Sequence, residues 1–138
     1  MKVLTKNTDY AIRALLELSF EDEHFISAKE IAQKQDIPYE FLRKILNRLI
    51  REGIVISREG GLGGFQLNLA PTKIKLTDLI RIFQGEIKLS ECMFRKKICP
   101  NRKHCVLRQN ILHVEKKVID EFRLITIGSL KNQMIGKK

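Results

Sequence analysis

The stretch from Pro38 to Leu69 leaves this chain few folds to choose from. Between Pro38 and about Glu52, Leu42, Ile45, Leu46 and Leu49 recur at helical spacing, with Phe41 and Ile50 beside them. Glu40, Arg43, Lys44, Asn47 and Arg51 make the opposite, polar stripe. Pro38 suits the first turn of that helix, where a missing N–H costs nothing, and Gly53 suits the position just past its end. Immediately behind it, Ile54-Val55-Ile56-Ser57-Arg58 and Phe65-Gln66-Leu67-Asn68-Leu69 read as two short strands, the second alternating apolar and polar. Gly60-Gly61-Leu62-Gly63-Gly64 is the turn between them. A well-formed amphipathic helix therefore runs straight into a glycine-turned hairpin.

Upstream, Ser27-Ala28-Lys29-Glu30 fits a capping box, in which a serine hydroxyl and a glutamate three residues on satisfy the free amides of a helix start. The helix it opens is short and ends near Gln35. A short helix, a tight turn and a longer helix with a polar, partly basic outer face make a helix-turn-helix pattern; an ordinary helical hairpin with a solvated face has the same appearance. The hairpin that follows favours the first reading, because it stands where the wing of a winged helix stands. The glycines do not form a phosphate loop, since no Gly-Lys-Ser/Thr follows and the next element is a strand, not a helix. They instead suit positive φ and, under the winged-helix reading, close approach of backbone to DNA.

The remaining elements fall around this unit. Tyr10, Ala11, Ala14, Leu15 and Leu18 predict a first helix from about Thr8 to Ser19. Leu76, Leu79, Ile80 and Phe83 predict a short helix closing at Gln84-Gly85. Leu107, Ile111, Val114, Val118, Phe122 and Ile125 alternate steps of three and four, a near-heptad stripe that serves either a monomer core or a dimer seam. So long a helix exceeds what a small winged-helix core needs, which favours a dimer. The tail, Ser129 to Lys138, reads as a short helical turn with a frayed end. The expected fold is mainly α with a small β-wing: a winged helix-turn-helix over 1–85, a cysteine-rich loop over 86–104, and a dimerisation helix with tail over 105–138.

Lys and Arg number 26 against 16 Asp and Glu, a net charge of +10. That balance suits a polyanionic partner, and nucleic acid is the usual one. No apolar run approaches the roughly 20 residues that span a bilayer, and the N-terminus lacks the apolar core of a signal peptide. The expectation is a cytoplasmic protein with no membrane partner. There is no Ser/His/Asp set, paired-acid motif or phosphate loop, so the chain does not read as an enzyme.

Cys92, Cys99 and Cys105 are the only cysteines, spaced Cys-x6-Cys-x5-Cys among Arg95, Lys96, Lys97, Arg102, Lys103 and Arg108. Three thiols cannot all pair as disulfides, and a basic surround favours thiolate. The spacing lacks the Cys-x2-Cys knuckle of most zinc sites and the compact ferredoxin run. A structural zinc, an iron–sulfur cluster and a metal-free redox-sensitive thiol set therefore stand as alternatives. Glu91, His104 and His113 are the nearby candidates for a fourth ligand. Asp9, on its own, is an ordinary first-turn helix acid favoured by the helix dipole.

The chain resembles the Rrf2 family of winged-helix iron–sulfur regulators, of the IscR, NsrR and RirA type. The matching residues are Leu4-Thr5-Lys6-Asn7-Thr8-Asp9-Tyr10-Ala11, the helix pair from Ile31-Ala32 to Leu49, the wing Arg58-Glu59-Gly60-Gly61-Leu62-Gly63-Gly64-Phe65, the three-cysteine loop, and Ile125-Thr126-Ile127-Gly128-Ser129-Leu130. The resemblance implies a homodimeric transcription regulator, acting as a repressor, whose affinity for a near-palindromic DNA operator follows the state of a cluster that senses nitric oxide, oxygen or redox state, or iron supply. Arg108 stands where IscR-like members carry a ligating histidine. Thr8-Asp9 matches the NsrR-like position, from which an aspartate reaches the other subunit's cluster. The implied ligands are Cys92, Cys99, Cys105 and Asp9 of the partner subunit, around a 4Fe–4S cluster first and a 2Fe–2S cluster second.

On this reading the helix from Pro38 to Arg51 enters the major groove, with Tyr39, Glu40, Arg43, Lys44 and Asn47 nearest the bases. Arg58, Gly61, Gly63 and Gly64 bring the wing to the adjacent minor groove. Ser27, Lys29, Arg48 and Arg51 are expected at the phosphate backbone.

Overall fold

The first helix, α1 (Lys6–Phe20), is capped by Thr5, whose hydroxyl accepts from the Thr8 amide at 3.4 Å. It begins two residues before the periodicity suggested and is the strut around which the domain assembles. Tyr10, Ala11, Ala14, Leu15 and Leu18 are buried on it, and the small Ala11 and Ala14 let neighbouring helices approach closely. A computed structural model of the chain describes residues 3–21, 23–89 and 105–136.

The helix pair follows as α2 (Ala28–Gln35) and α3 (Tyr39–Arg51). The Ser27 hydroxyl accepts from the Glu30 amide at 3.2 Å, half of the expected capping box. The Glu30 carboxylate turns instead to Lys34, 3.2 Å away along the helix. Asp36 takes a left-handed conformation (φ 52°) to end α2. Pro38 is the N-cap of α3, one residue outside the helix rather than in its first turn, and its carbonyl accepts from the Leu42 amide. Leu42, Ile45, Leu46 and Leu49 are buried, as their spacing requires.

The wing is a two-stranded antiparallel sheet, β1 (Val55–Arg58) and β2 (Gly64–Leu67), with Val55 opposite Leu67 and Arg58 opposite Gly64. Both strands are shorter than the sequence suggested. Past Leu67 the ladder gives way to loop bonds: the Asn68 amide donates to the Ile54 carbonyl and its side chain to that of Gly53. Ile26, just before α2, adds a third segment. It exchanges two backbone hydrogen bonds with Phe65, at 2.9 and 2.8 Å. Gly64, at φ +142°, passes so close that a Cβ there would collide with the Ile26 carbonyl. Gly63 is similarly closed against the Arg58 carbonyl. These two glycines are set first by approach of the chain to itself.

A 3₁₀ turn, Pro71–Lys73, leads into α4 (Leu76–Gln84), which packs on α1. The long helix α5 (Val106–Arg123) ends two residues before Ile125, and none of its described residues is fully buried within the chain. The tail departs from expectation. In place of a short turn and frayed end, Ile127–Gly136 forms a ten-residue helix, α6, packed on α1. Thr126 and Ser129 cap its start reciprocally, each amide donating to the other's hydroxyl at 2.9 Å. Ile127 is buried, and Gly128 fits against Thr72, whose side chain a Cβ would strike. Lys131 then donates to the Ser19 carbonyl at 2.7 Å, at the end of α1.

Gly64→Ala is expected to destabilise the domain by about 1–3 kcal/mol, since it combines positive φ with a backbone clash. A Cβ on Gly61 would meet nothing within 4 Å, and the residue has no positive φ, so Gly61→Ala should stay within about 0.5 kcal/mol of wild type. Urea unfolding of the two variants measures the difference.

Candidate nucleic-acid interface and metal ligands

Helix α3 turns one face to the core and the other outward, because residues at 3.6-residue periodicity separate cleanly here. Glu40, Arg43, Lys44, Asn47 and Arg51 are all exposed on the outer face, with Tyr39 at its start. The Arg43 guanidinium lies 5.9 Å from the Tyr39 ring centroid, a loose cation–π arrangement. Arg48 sits at the edge. It pairs with Glu52 at 3.2 Å, and its Nε is buried without a hydrogen-bond partner among the described residues. Arg48 and Lys44 share a groove of about 400 Å³ with Asn7, Phe41, Ile82 and Phe83, so Arg48 faces α4 as much as solvent.

The wing supplies a second grouping. Ser27, Arg58, Gly61 and Gly63 line one cleft of about 380 Å³, together with Glu23, His24, Phe25, Glu30 and Leu62. Lys29 is exposed on α2 nearby in sequence. Leu62, at the tip of the turn, is 86% exposed. Arg58 does not extend freely from the wing. Its Nη2 donates to the Leu62 carbonyl at 3.1 Å, and its guanidinium carbon lies 4.3 Å from the centroid of the Phe25 ring. Phe25 carries no periodic signal in the sequence.

Of the sequence-derived metal ligands, Cys92 and Cys99 lie outside the described residues, as do Glu91 and His104. Cys105 is the N-cap of α5, and its Sγ accepts from the Arg108 amide at 3.5 Å. The sulfur thus lies at the positive end of a helix dipole, where an anionic ligand is favoured. Asp9 is on the first turn of α1, half-exposed, and accepts from Arg13 at 3.1 and 2.9 Å. Arg13 also donates to the Gln35 carbonyl at 2.7 Å and lies over the Tyr10 ring. One side chain therefore joins Asp9 to the end of α2. The i,i+4 spacing of Asp9 and Arg13 was a signal for that pair; the bond to Gln35 had none. His113 is exposed on α5. Among the described residues, no three His, Cys, Asp or Glu side chains converge on a point that could hold a metal ion.

The model of the family of iron-dependent transcriptional regulators, Rrf2, matches residues 4–133. The chain belongs to the Rrf2 family. It is similar to the HTH-type transcriptional regulator NsrR of Oceanobacillus iheyensis, with 31% identity over 86% of this chain and 80% of that one. It is also similar to the HTH-type transcriptional repressor NsrR of Streptomyces coelicolor, with 28% identity over 92% of this chain and 86% of that one. The structure of CymR (YrzC), the global cysteine regulator of B. subtilis, covers 96% of this chain and 98% of its own at a TM-score of 0.77; at 24% identity this is a likeness of fold. The Rrf2 match makes the chain a transcription regulator, not an enzyme, and DNA the partner. The small antiparallel sheet, the helix pair and the long C-terminal helix agree with the winged-helix architecture of such structures. No described helix is long and apolar enough to cross a membrane. The donor types at the two described positions are ones a metal centre uses: a thiol heading a helix, and a first-turn carboxylate whose Oδ2 is held by Arg13.

Arg13→Ala is expected to destabilise the fold by about 1–3 kcal/mol, because a charge-assisted bond to a part-buried carbonyl is lost. Asp9→Ala should cost less than about 1 kcal/mol, as its ion pair is solvent-exposed. Urea unfolding of the apo-protein variants tests both, and shows whether Asp9 can be removed without damage to the fold.

Proposed function

We propose that this chain is a homodimeric repressor that binds a near-palindromic operator through α3 and the wing, under control of an iron–sulfur cluster. The observation that carries the reading is the position of Cys105 at the head of α5. Of the near-heptad stripe Leu107, Ile111, Val114, Val118, Phe122 and Ile125, Leu107 and Val114 remain exposed within the chain and the other four are half-buried, and a second copy is the occupant that stripe suits. Cysteine loop and dimer seam are then one continuous element, so that what happens at the cysteines bears on how two reading helices are spaced.

In that dimer, Arg43 and Asn47 match guanine and adenine edges respectively, while Lys44, Arg51, Lys29 and Ser27 serve phosphates. Tyr39 and Glu40 stand at the leading end of α3. Arg58 and the turn through Gly61, Gly63 and Gly64 address the neighbouring minor groove, and Arg48, paired with Glu52, stands at the edge of the backbone-facing set. Two-fold symmetry sets the half-sites about one helical turn apart. Cys92, Cys99, Cys105 and Asp9 of the partner subunit would hold the cluster, 4Fe–4S before 2Fe–2S, and when bound it supplies a centre reactive toward nitric oxide, oxygen or iron scarcity. Both Arg13 bonds go to Asp9 Oδ2, so ligation through Oδ1 would not require the pair to break. Cluster binding across the two subunits would favour one dimer geometry over another, a shift of population.

Anaerobic purification followed by native mass spectrometry of wild type, Asp9→Ala and Cys105→Ala tests the ligand set. A dimer whose mass includes one cluster per chain in the wild type, and loses it in both variants, is expected. Colourless protein that still binds DNA in a thiol-dependent way points to cluster-free redox control, and one zinc per chain to a structural site. Duplex DNA enriched from a random-sequence pool supplies the operator. Its affinity should fall linearly with salt on logarithmic axes, and Lys44→Ala should reduce the slope by about 1. Equal affinity with and without the metal centre would remove the sensing role while leaving DNA binding intact.

A further inference from the structure

We propose that Phe25 is a positioning residue for DNA binding: its ring holds the Arg58 guanidinium at the foot of the wing, so that the wing meets the duplex already ordered. The inference rests on the DNA-binding role given to Arg58 above. It begins with the partner that Arg58 has chosen. Glu23 and Glu30 both line the same cleft, yet the guanidinium stacks on an aromatic face at 4.3 Å and donates to the Leu62 carbonyl. A carboxylate would order the side chain by neutralising it. A ring and a carbonyl order it and leave its full positive charge available to a phosphate or to the electronegative minor groove.

The platform is itself fixed. Ile26, the next residue, is buried and bonded in both directions to Phe65 of β2. Side chains alternate across an extended chain, so burying Ile26 turns Phe25 to the opposite side, where Arg58 ends β1. Arg58 and Gly64 are register partners, and the same Gly64 closes against Ile26. Ring, guanidinium and wing turn are therefore held by one set of backbone bonds. The Leu62 carbonyl uses one of the five N–H donors of the guanidinium. An arginine ordered in advance loses less rotamer freedom on binding than a free one, and the difference appears as affinity.

A purely structural staple would also place an aromatic ring here, and a double-mutant cycle separates the two roles. Binding of wild type, Phe25→Leu, Arg58→Ala and the double variant is measured by fluorescence anisotropy on two probes, the duplex enriched from the random pool and a mixed-sequence duplex. Urea unfolding of each variant runs in parallel. Phe25→Leu is expected to weaken binding about threefold to tenfold, the range of a cation–π contact between the exposed and the desolvated limits. Phe25→Tyr should retain wild-type affinity and covers the case in which the leucine variant folds poorly. Arg58→Ala should lose at least as much and reduce the salt slope by about 1. The double variant should bind no more weakly than Arg58→Ala alone. Wild-type affinity for a folded Phe25→Leu, wild-type affinity for Arg58→Ala, or losses that multiply in the double variant would each overturn the proposal. Absence of wild-type binding to either duplex would overturn the DNA reading itself, a separate outcome.

Discussion

Two backbone hydrogen bonds between Ile26 and Phe65 tie the wing to the helix pair, and most of the candidate interface depends on them. Without that exchange, a two-stranded hairpin of four residues a side would be marginal in water. With it, the hairpin becomes the outer part of a three-segment sheet whose third member leads directly into α2. The orientation of the wing is thus set from the same residues that begin the helix pair. Gly64 is the condition for this approach, since any side chain there meets the Ile26 carbonyl. Ser27 caps α2, Phe25 carries Arg58, and both gain their positions from the bonds made by the residue between them.

A second constraint is the division of apolar surface. The core collects around α1, where α3, α4 and α6 all pack, and it is complete without α5. The long helix is left with exposed leucine and valine side chains and only partial cover on its remaining apolar positions. That partly uncovered stripe is the surface on which the proposed dimer rests. Basic side chains line the outer face of α3 (Arg43, Lys44, Arg51), and α5 carries its own in Arg108, Lys116, Lys117 and Arg123.

The strongly periodic parts were legible in the sequence. The stripe of α3, the hairpin with its glycine turn, the Ser27 cap and α4 all follow from spacing and turn chemistry, which act locally. What escaped is long-range. The α6 helix depends on reciprocal Thr126–Ser129 capping and on Gly128 fitting against Thr72, a residue more than fifty positions earlier; its own apolar pattern is too diffuse to announce a helix. Phe25 lies in a charged loop with no repeat to mark it, and only the strand pairing of its neighbour aims it at Arg58. Arg13 went unread although its i,i+4 spacing from Asp9 marks a pair, and its second bond, to Gln35, is tertiary. For the metal ligands, residue type and family resemblance carried the reading, and the described structure adds only the placement of Cys105 and Asp9.

The return of α6 to α1 has a mechanical consequence. At its far end α5 is fastened: Leu76 donates to Ile125, Ile127 donates to Ile74, and α6 is seated on the strut of the domain. Its near end carries Cys105. An 18-residue helix is about 27 Å long, so a tilt of about 10° at the fastened end moves the cysteine end by about 5 Å. The helix works as a lever with its fulcrum inside the DNA-binding unit. A displacement at the cysteine end therefore reaches the joint with α4 and α1 much reduced in amplitude.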